Sequence, residues 1–251
     1  MRYHDILKPT LLEGGNVFKN TDGELLTIRI NLADISPTIS WLEKITGLKL
    51  SKNTLGSVGR KSSSGDIDLA VATDDRDILL QQLNDWVTTH KLIADEWIKK
   101  TGISIHFKTP ICGNSKKGFV QTDFMIGDIE WLKFIAYGPG EQSQYTGADR
   151  AILLNSIAKS HGFKLSPTNG LESRTTGQFL TKDSNQIANY LLGHTATRSD
   201  CNSVETIIKA LRRSGINQER LHTELFDCID NFRRIQGDDV KASQLEILAG
   251  L

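Results

Sequence analysis

The hexapeptide Asp66-Ile67-Asp68-Leu69-Ala70-Val71 constrains the fold most. Acid and apolar side chains alternate in it, and side chains two apart on a strand share a face. The alternation predicts a strand that buries Ile67, Leu69 and Val71 and holds Asp66 and Asp68 side by side on the opposite face. Two carboxylates so placed repel each other unless a cation sits between them. A third acid, Asp123, interrupts the strand-like run Val120-Gln121-Thr122-Asp123-Phe124-Met125-Ile126. A carboxylate amid apolar neighbours needs compensation. Asp oxygens with waters suit Mg²⁺, which is usually bound by one or two carboxylates together with substrate phosphates.

The residues just upstream supply phosphate-binding chemistry. Gly56 and Ser57 offer backbone N–H groups and a hydroxyl at a turn, Gly59 allows close approach of a ligand, and Arg60 carries a forked donor. Ser62, Ser63, Ser64 and Gly65 add small donors immediately before Asp66. Each piece alone has an ordinary reading as a loop, a linker, a surface charge or a solvated strand edge. In this order, with Asp123 downstream, they place phosphate donors beside a metal site, as a bound nucleoside triphosphate requires.

The remainder predicts an α+β protein with a mixed sheet and helices, followed by a mostly helical C-terminal part. A helix is expected from Asp34, with Ser36 as cap, Pro37 in the first turn and Ile39, Leu42 and Ile45 at helical spacing. Residues 74–102 read as one helix or a broken pair, with Ile78, Leu79, Leu83 and Trp86 on one side. Residues 103–111 and 118–126 read as strands joined by the turn-rich Cys112-Gly113-Asn114-Ser115-Lys116-Lys117-Gly118. Helices are expected over 147–163, ending at Gly162, and after a cap at Asp183 or Ser184, with further helices over 203–215 and 219–237. With 30 basic and 30 acidic residues the formal net charge is zero, which argues against a protein that coats nucleic acid non-specifically. Cys112, Cys201 and Cys228 show no zinc or disulfide spacing, consistent with a reducing compartment. No apolar run is long enough for a membrane span and no signal-peptide core opens the chain, so a cytoplasmic protein without a membrane partner is expected.

Gly56-Ser57, eight residues, then Asp66-Ile67-Asp68 resembles the signature of the DNA polymerase beta-like nucleotidyltransferase superfamily, and the whole stretch 56–71 is closest to family X DNA polymerases. The likeness continues through Tyr145-Thr146-Gly147-Ala148-Asp149, the Gly162-Phe163-Lys164-Leu165 stretch and the helix at 183–193, covering roughly residues 50 to 195. The resemblance implies a palm over 51–140, a nucleotide-binding subdomain over 141–195, an N-terminal leader and helical segment over 1–50, and a helical tail over 196–251. It implies that Asp66, Asp68 and Asp123 are the catalytic, metal-binding acids for two Mg²⁺ or Mn²⁺ ions. It gives the triphosphate to Gly56, Ser57, Arg60, Ser64 and Gly65, the sugar to Tyr145 and Gly147, and the base to Asp149. The implied partners are a nucleoside triphosphate and a DNA primer or primer-template.

This chain departs from the family pattern at several places. The spacing from Gly56-Ser57 to Asp66 is one residue short, and Gln121 stands where an arginine often accompanies the third acid. Gln144 replaces the first aromatic residue of a sugar-contacting pair, and Ile152 and Ser156 fall where the family checks the base pair and supports the template. About fifty residues precede the motif, so the family's lyase domain, and gap filling with 5′-phosphate recognition, are not expected. The first sixteen residues also resemble the leaders of tailed-phage head proteins that are cut after Leu-x-Glu, with Leu11-Leu12-Glu13 as the match. A phage protein would act in the host cytoplasm or the virion; the alternative for this stretch is an ordinary helix ending at Gly14-Gly15. Three functions remain open: nucleotidyl transfer to nucleic acid, the same transfer to a protein, tRNA or small molecule, and nucleotide binding without catalysis.

Overall fold

The computed structural model describes residues 16–140 and 142–251; Leu11-Leu12-Glu13 lie outside the described residues. The fold is α+β, and the chain divides into two compact units between Ala136 and Tyr137.

The first unit opens with β1 (Ile30–Asn31) and α1 (Leu32–Thr46), followed by β2 (Ser63–Ser64) and β3 (Asp66–Val71). After these come α2 (Arg76–Thr89), α3 (Ala94–Trp97), β4 (Ile98–Thr101), β5 (Ser104–Pro110), β6 (Phe119–Ile126) and α4 (Ile129–Ile135). Strands β3, β6, β5 and β4 form a four-stranded mixed sheet in that order. The β3–β6 pair is parallel and the other two are antiparallel. One face of this sheet is the core: Ile67, Leu69 and Val71 from β3, Val120 and Phe124 from β6, and Ile105 and Phe107 from β5. Helix α1 closes it with Ile35, Ile39 and Leu42, and α2 with Leu79, Leu83 and Val87. On this face the hydroxyls of Thr109 and Thr122, both fully buried, bond each other at 2.7 Å, which removes the cost of burying either alone.

Three expectations shift here. Helix α1 starts at Leu32 rather than Asp34, with Asn31 as N-cap and Pro37 inside. The reason is tertiary: β1 pairs with β2, and the Leu32 N–H donates to the Ser62 carbonyl at 2.9 Å, so the pairing satisfies the helix start. Ile78, expected on the apolar side of α2, is half exposed, and Val87 takes the place in the core. Residues Ile98–Thr101, read as helical, form edge strand β4 against β5, after Trp97 and Ile98 have been drawn into the core.

The second unit contains α5 (Gly147–Ser160), a three-stranded antiparallel sheet of β7 (Phe163–Ser166), β8 (Gly170–Ser173) and β9 (Phe179–Thr181), and α6 (Ser184–Leu192). Helices α7 (Val204–Arg213), α8 (Gln218–Asp230) and α9 (Asp239–Ala249) complete it, with a π turn at Asn231–Ile235 between the last two. Helix α5 packs against α7 and α8, and α6 against α7. Residues 141–195 and 196–251 therefore share one core, to which Leu153, Leu154, Ile157, Ile187, Leu191, Ile207, Ile208 and Leu225 contribute fully buried side chains. Residues 16–136, from the stretches 1–50 and 51–140, likewise fall in a single unit.

The start of α5 is held by a capping box: the Thr146 hydroxyl accepts from the Asp149 N–H, and the Asp149 carboxylate accepts from the Thr146 N–H at 2.8 Å. Thr146→Ala is expected to cost the second unit about 1 kcal/mol in urea denaturation, and an unchanged midpoint would show that the box carries no stability.

Candidate metal and phosphate site

The site of the first unit lies on the sheet face opposite the core. Alternation along β3 brings Asp66 and Asp68 to that face, and Gln121 and Asp123 of β6 reach it in the same way. The parallel register sets Asp66 beside Gln121 and Asp68 beside Asp123. One carboxylate oxygen from each of Asp66, Asp68 and Asp123 lies within 4.8 Å of the others.

The electrostatics follow from this crowding. Burial, and then the nearby Asp123 charge, push the Asp66 carboxyl up to about 6. Asp68 is raised well above the usual carboxylate range, first by burial and then by Asp66 and Asp123. Arg29 pulls Asp66 in the other direction, weakly. Three acids held at a shared focus with this imbalance are a cation site in waiting, and an all-oxygen donor set fits a hard divalent ion. The residues present therefore fit a divalent metal ion.

Asp123 is the best supported of the three. Its Oδ1 is 2.7 Å from His106 Nδ1, and its Oδ2 accepts from Gln121 Nε2 at 3.1 Å. Gln121 is in turn fixed by Val17, whose N–H donates to its Oε1 at 2.9 Å. Gln121 thus occupies the neighbour position of the third acid as a neutral donor.

The Gly-Ser turn lies beside the acids. Residues 53–55 run antiparallel along β3, with Leu55 N–H donating to the Asp68 carbonyl and Ala70 N–H to the Asn53 carbonyl. This brings Gly56 so close that a Cβ there would meet Asp68 Oδ2 at 3.3 Å, at a φ of +60° that also favours glycine. Ser57 opens the turn that closes with Arg60 N–H on its carbonyl, and Arg60 is exposed. Ser64 pairs with Ile30, and Gly65 follows it directly into β3.

Two residues of this site escape a reading of the sequence. Arg29 donates from Nε and Nη2 to the hydroxyl and carbonyl of Ser63, and its Nη1 would be 3.4 Å from a Cβ at Gly65. It thus joins the serine run and acts electrostatically on Asp66. His106 reaches Asp123 from β5. Neither has a local motif; both arrive through the pairing of distant segments.

The three remaining candidates belong to the second unit. Tyr145 is buried, stacks on Phe232 at 6.3 Å between ring centres, and has a hydroxyl with no partner among the described residues. Burial, and then Glu205, push that hydroxyl up to about 12. Gly147 stands where a Cβ would meet the Gly138 Cα and the Tyr137 carbonyl oxygen, both at 3.3 Å. Asp149 is buried, completes the α5 capping box and pairs with Lys241 at 3.3 Å. His161, to which the sequence assigns no partner, bonds Glu224 at 2.8 Å.

All three cysteines are free. No helix among the described residues is long and apolar enough to cross a membrane. No protein-family model matches the chain, and no curated protein matches it.

Proposed function

We propose that this chain is a divalent-metal-dependent nucleotidyltransferase of the polymerase beta-like kind, closest to family X. It would move a nucleoside monophosphate from a triphosphate to a 3′-hydroxyl of nucleic acid and release pyrophosphate. The observation that carries the reading is the convergence of Asp66, Asp68 and Asp123 within 4.8 Å, next to a Gly-Ser turn where a Cβ at Gly56 would meet Asp68 Oδ2 at 3.3 Å.

In this reading Asp66, Asp68 and Asp123 would hold the Mg²⁺ or Mn²⁺ ions. The ions supply Lewis acidity at the reacting phosphorus centre and activation of the acceptor hydroxyl. The chain itself supplies a preorganised cradle for the leaving phosphates. Ser57 and the N–H groups of its turn, Ser64 and Gly65 provide neutral donors, and Arg29 and Arg60 provide charge. Donors fixed in place before the reaction need no reorganisation as negative charge develops on the leaving group. The neutral Gln121 cannot help Asp123 by charge as an arginine would, so the acceptor hydroxyl depends more heavily on the ions.

A second reading has its own support. Asp149, given by the resemblance to the base, and Ser156, which departs from the family at a template-supporting position, are both buried within the second unit. Asp149 is bound to Lys241, and the Ser156 hydroxyl donates to the Glu224 carbonyl at 2.7 Å. Side chains engaged in this way favour transfer without template reading, or to an acceptor other than DNA.

Primer extension separates these readings. A labelled DNA primer, bare and annealed to a template, is incubated with Mg²⁺ or Mn²⁺ and each nucleotide singly. Extension that follows the template supports a polymerase, and extension of the bare primer supports terminal transfer. In both cases Asp123→Ala is expected to abolish the product. Absence of any extension under all conditions would remove a DNA primer as the acceptor.

A further inference from the structure

His106 is engaged with a metal-site acid, yet neither the metal nor the phosphate reading uses it. The antiparallel β5–β6 register sets His106 opposite Asp123, and the parallel β3–β6 register sets Asp68 on the other side. Asp68, Asp123 and His106 therefore form one row across the sheet. The His106 and Asp123 side chains are 5% and 8% exposed. A carboxylate that ligates a metal ion only accepts hydrogen bonds, so the role this geometry offers His106 Nδ1 is that of donor to Asp123 Oδ1.

The other ring nitrogen tells more. His106 Nε2 is buried and has no partner among the described residues. Leaving a buried polar atom unpaired costs stability, and an apolar side chain at this position would avoid that cost. Packing therefore does not explain a histidine here; the bond from Nδ1 does. Gln121 adds a second donor, oriented by its own bond from Val17. The two oxygens of Asp123 are thus each held by a separate donor, from directions set by the sheet.

We propose that His106 is a positioning residue for the metal site. Together with Gln121 it fixes the Asp123 carboxylate so that its remaining lone pairs meet the focus shared with Asp66 and Asp68, and so sets the affinity of the triad for a divalent ion. This rests on the reading of the triad as a metal site. Donors behind ligating groups commonly change metal affinity tenfold to a hundredfold when removed.

The test is Mn²⁺ binding to the full chain, followed by the electron paramagnetic resonance of free Mn²⁺. His106→Leu fills the space but cannot donate. His106→Asn places an amide N–H close to where Nδ1 lies. The expected result is a Kd for Mn²⁺ raised about tenfold to a hundredfold in His106→Leu and restored to near the wild-type value in His106→Asn. Melting in EDTA accompanies each variant; His106→Leu is expected to melt lower than the wild type, since the buried Asp123 Oδ1 loses its donor, and Mn²⁺ binding is read at a temperature where every variant is folded. Wild-type affinity in His106→Leu, or equal weakening in both variants, would overturn the positioning role while leaving the metal site intact. A wild type that binds Mn²⁺ no better than Asp66→Asn/Asp68→Asn would overturn the metal reading, and the positioning role with it.

Discussion

Asp68→Asn is expected to make the metal-free protein more stable and to remove the proposed nucleotidyl transfer. Asp68 is partly buried beside two other carboxylates, and its carboxyl is raised well above the usual range by desolvation and then by Asp66 and Asp123. An amide of the same shape removes the charge conflict. The gain should appear as a higher urea midpoint in EDTA. The same change removes a proposed metal ligand, and losing several kcal/mol of transition-state charge stabilisation lowers the rate about a thousandfold or more. A variant that is both less stable in EDTA and active would contradict the electrostatic picture and the catalytic one together.

The same acids give stability a pH dependence with a definite sign. Asp66 moves from the ordinary value of 3.8 to about 6 in the folded chain. Between these values the folded state binds a proton that the unfolded state has lost, so stability falls as pH rises. The metal-free protein should therefore lose stability from about pH 4 through about pH 6, with Asp68 extending the decline upward. Saturating Mg²⁺ should oppose this trend, because a metal ion binds the deprotonated acids. Urea midpoints at several pH values, in EDTA and in Mg²⁺, read both trends.

Gly113→Ala is expected to be the most damaging small substitution in the first unit. Gly113 has a φ of +70°, and a Cβ there would lie 2.2 Å from Trp41 Cδ1. Trp41 packs on the core and meets Trp86 edge-on at 5.4 Å, so it cannot simply swing away. The left-handed backbone costs an alanine about 1 kcal/mol, and forcing a methyl group into filled space adds about 1–3 kcal/mol. The total is about 3 kcal/mol. Gly102→Ala is the control: its φ is +57°, but nothing lies within 4 Å of the added Cβ. It should show the backbone cost alone. Equal losses for the two would mean that Trp41 yields freely.

The acids were legible in the sequence because their signal is local. Alternation in β3 and the lone acid in β6 both rest on a period of two, and the sheet register converts them directly into proximity. Helices α5 and α6 were legible for a local reason too, α5 through its helical spacing and α6 through the cap offered by Asp183 or Ser184, of which Asp183 serves; the Thr146 cap of α5 was not read. Strand β4 was not, since Lys99 and Lys100 continue a plausible helical face and only pairing with β5 makes them extended. Arg29 and His106 were not, because each meets its partner across a strand pair whose members are 17 or more residues apart. The helical residues after 195 carried no sign that they share a core with α5, because the partner of an amphipathic face is not written in its spacing.

The central claim is that the triad and the neighbouring turn bind a divalent ion together with a nucleoside triphosphate. Thermal melting of the full chain tests it most directly, with Mn²⁺ alone, a non-hydrolysable triphosphate alone, and both together. A ligand that binds only the native state must raise its melting temperature. The account predicts that both together raise it more than either alone, and that Asp66→Asn/Asp68→Asn shows no metal-dependent rise. No rise in the wild type, or the same rise in the double variant, would contradict it.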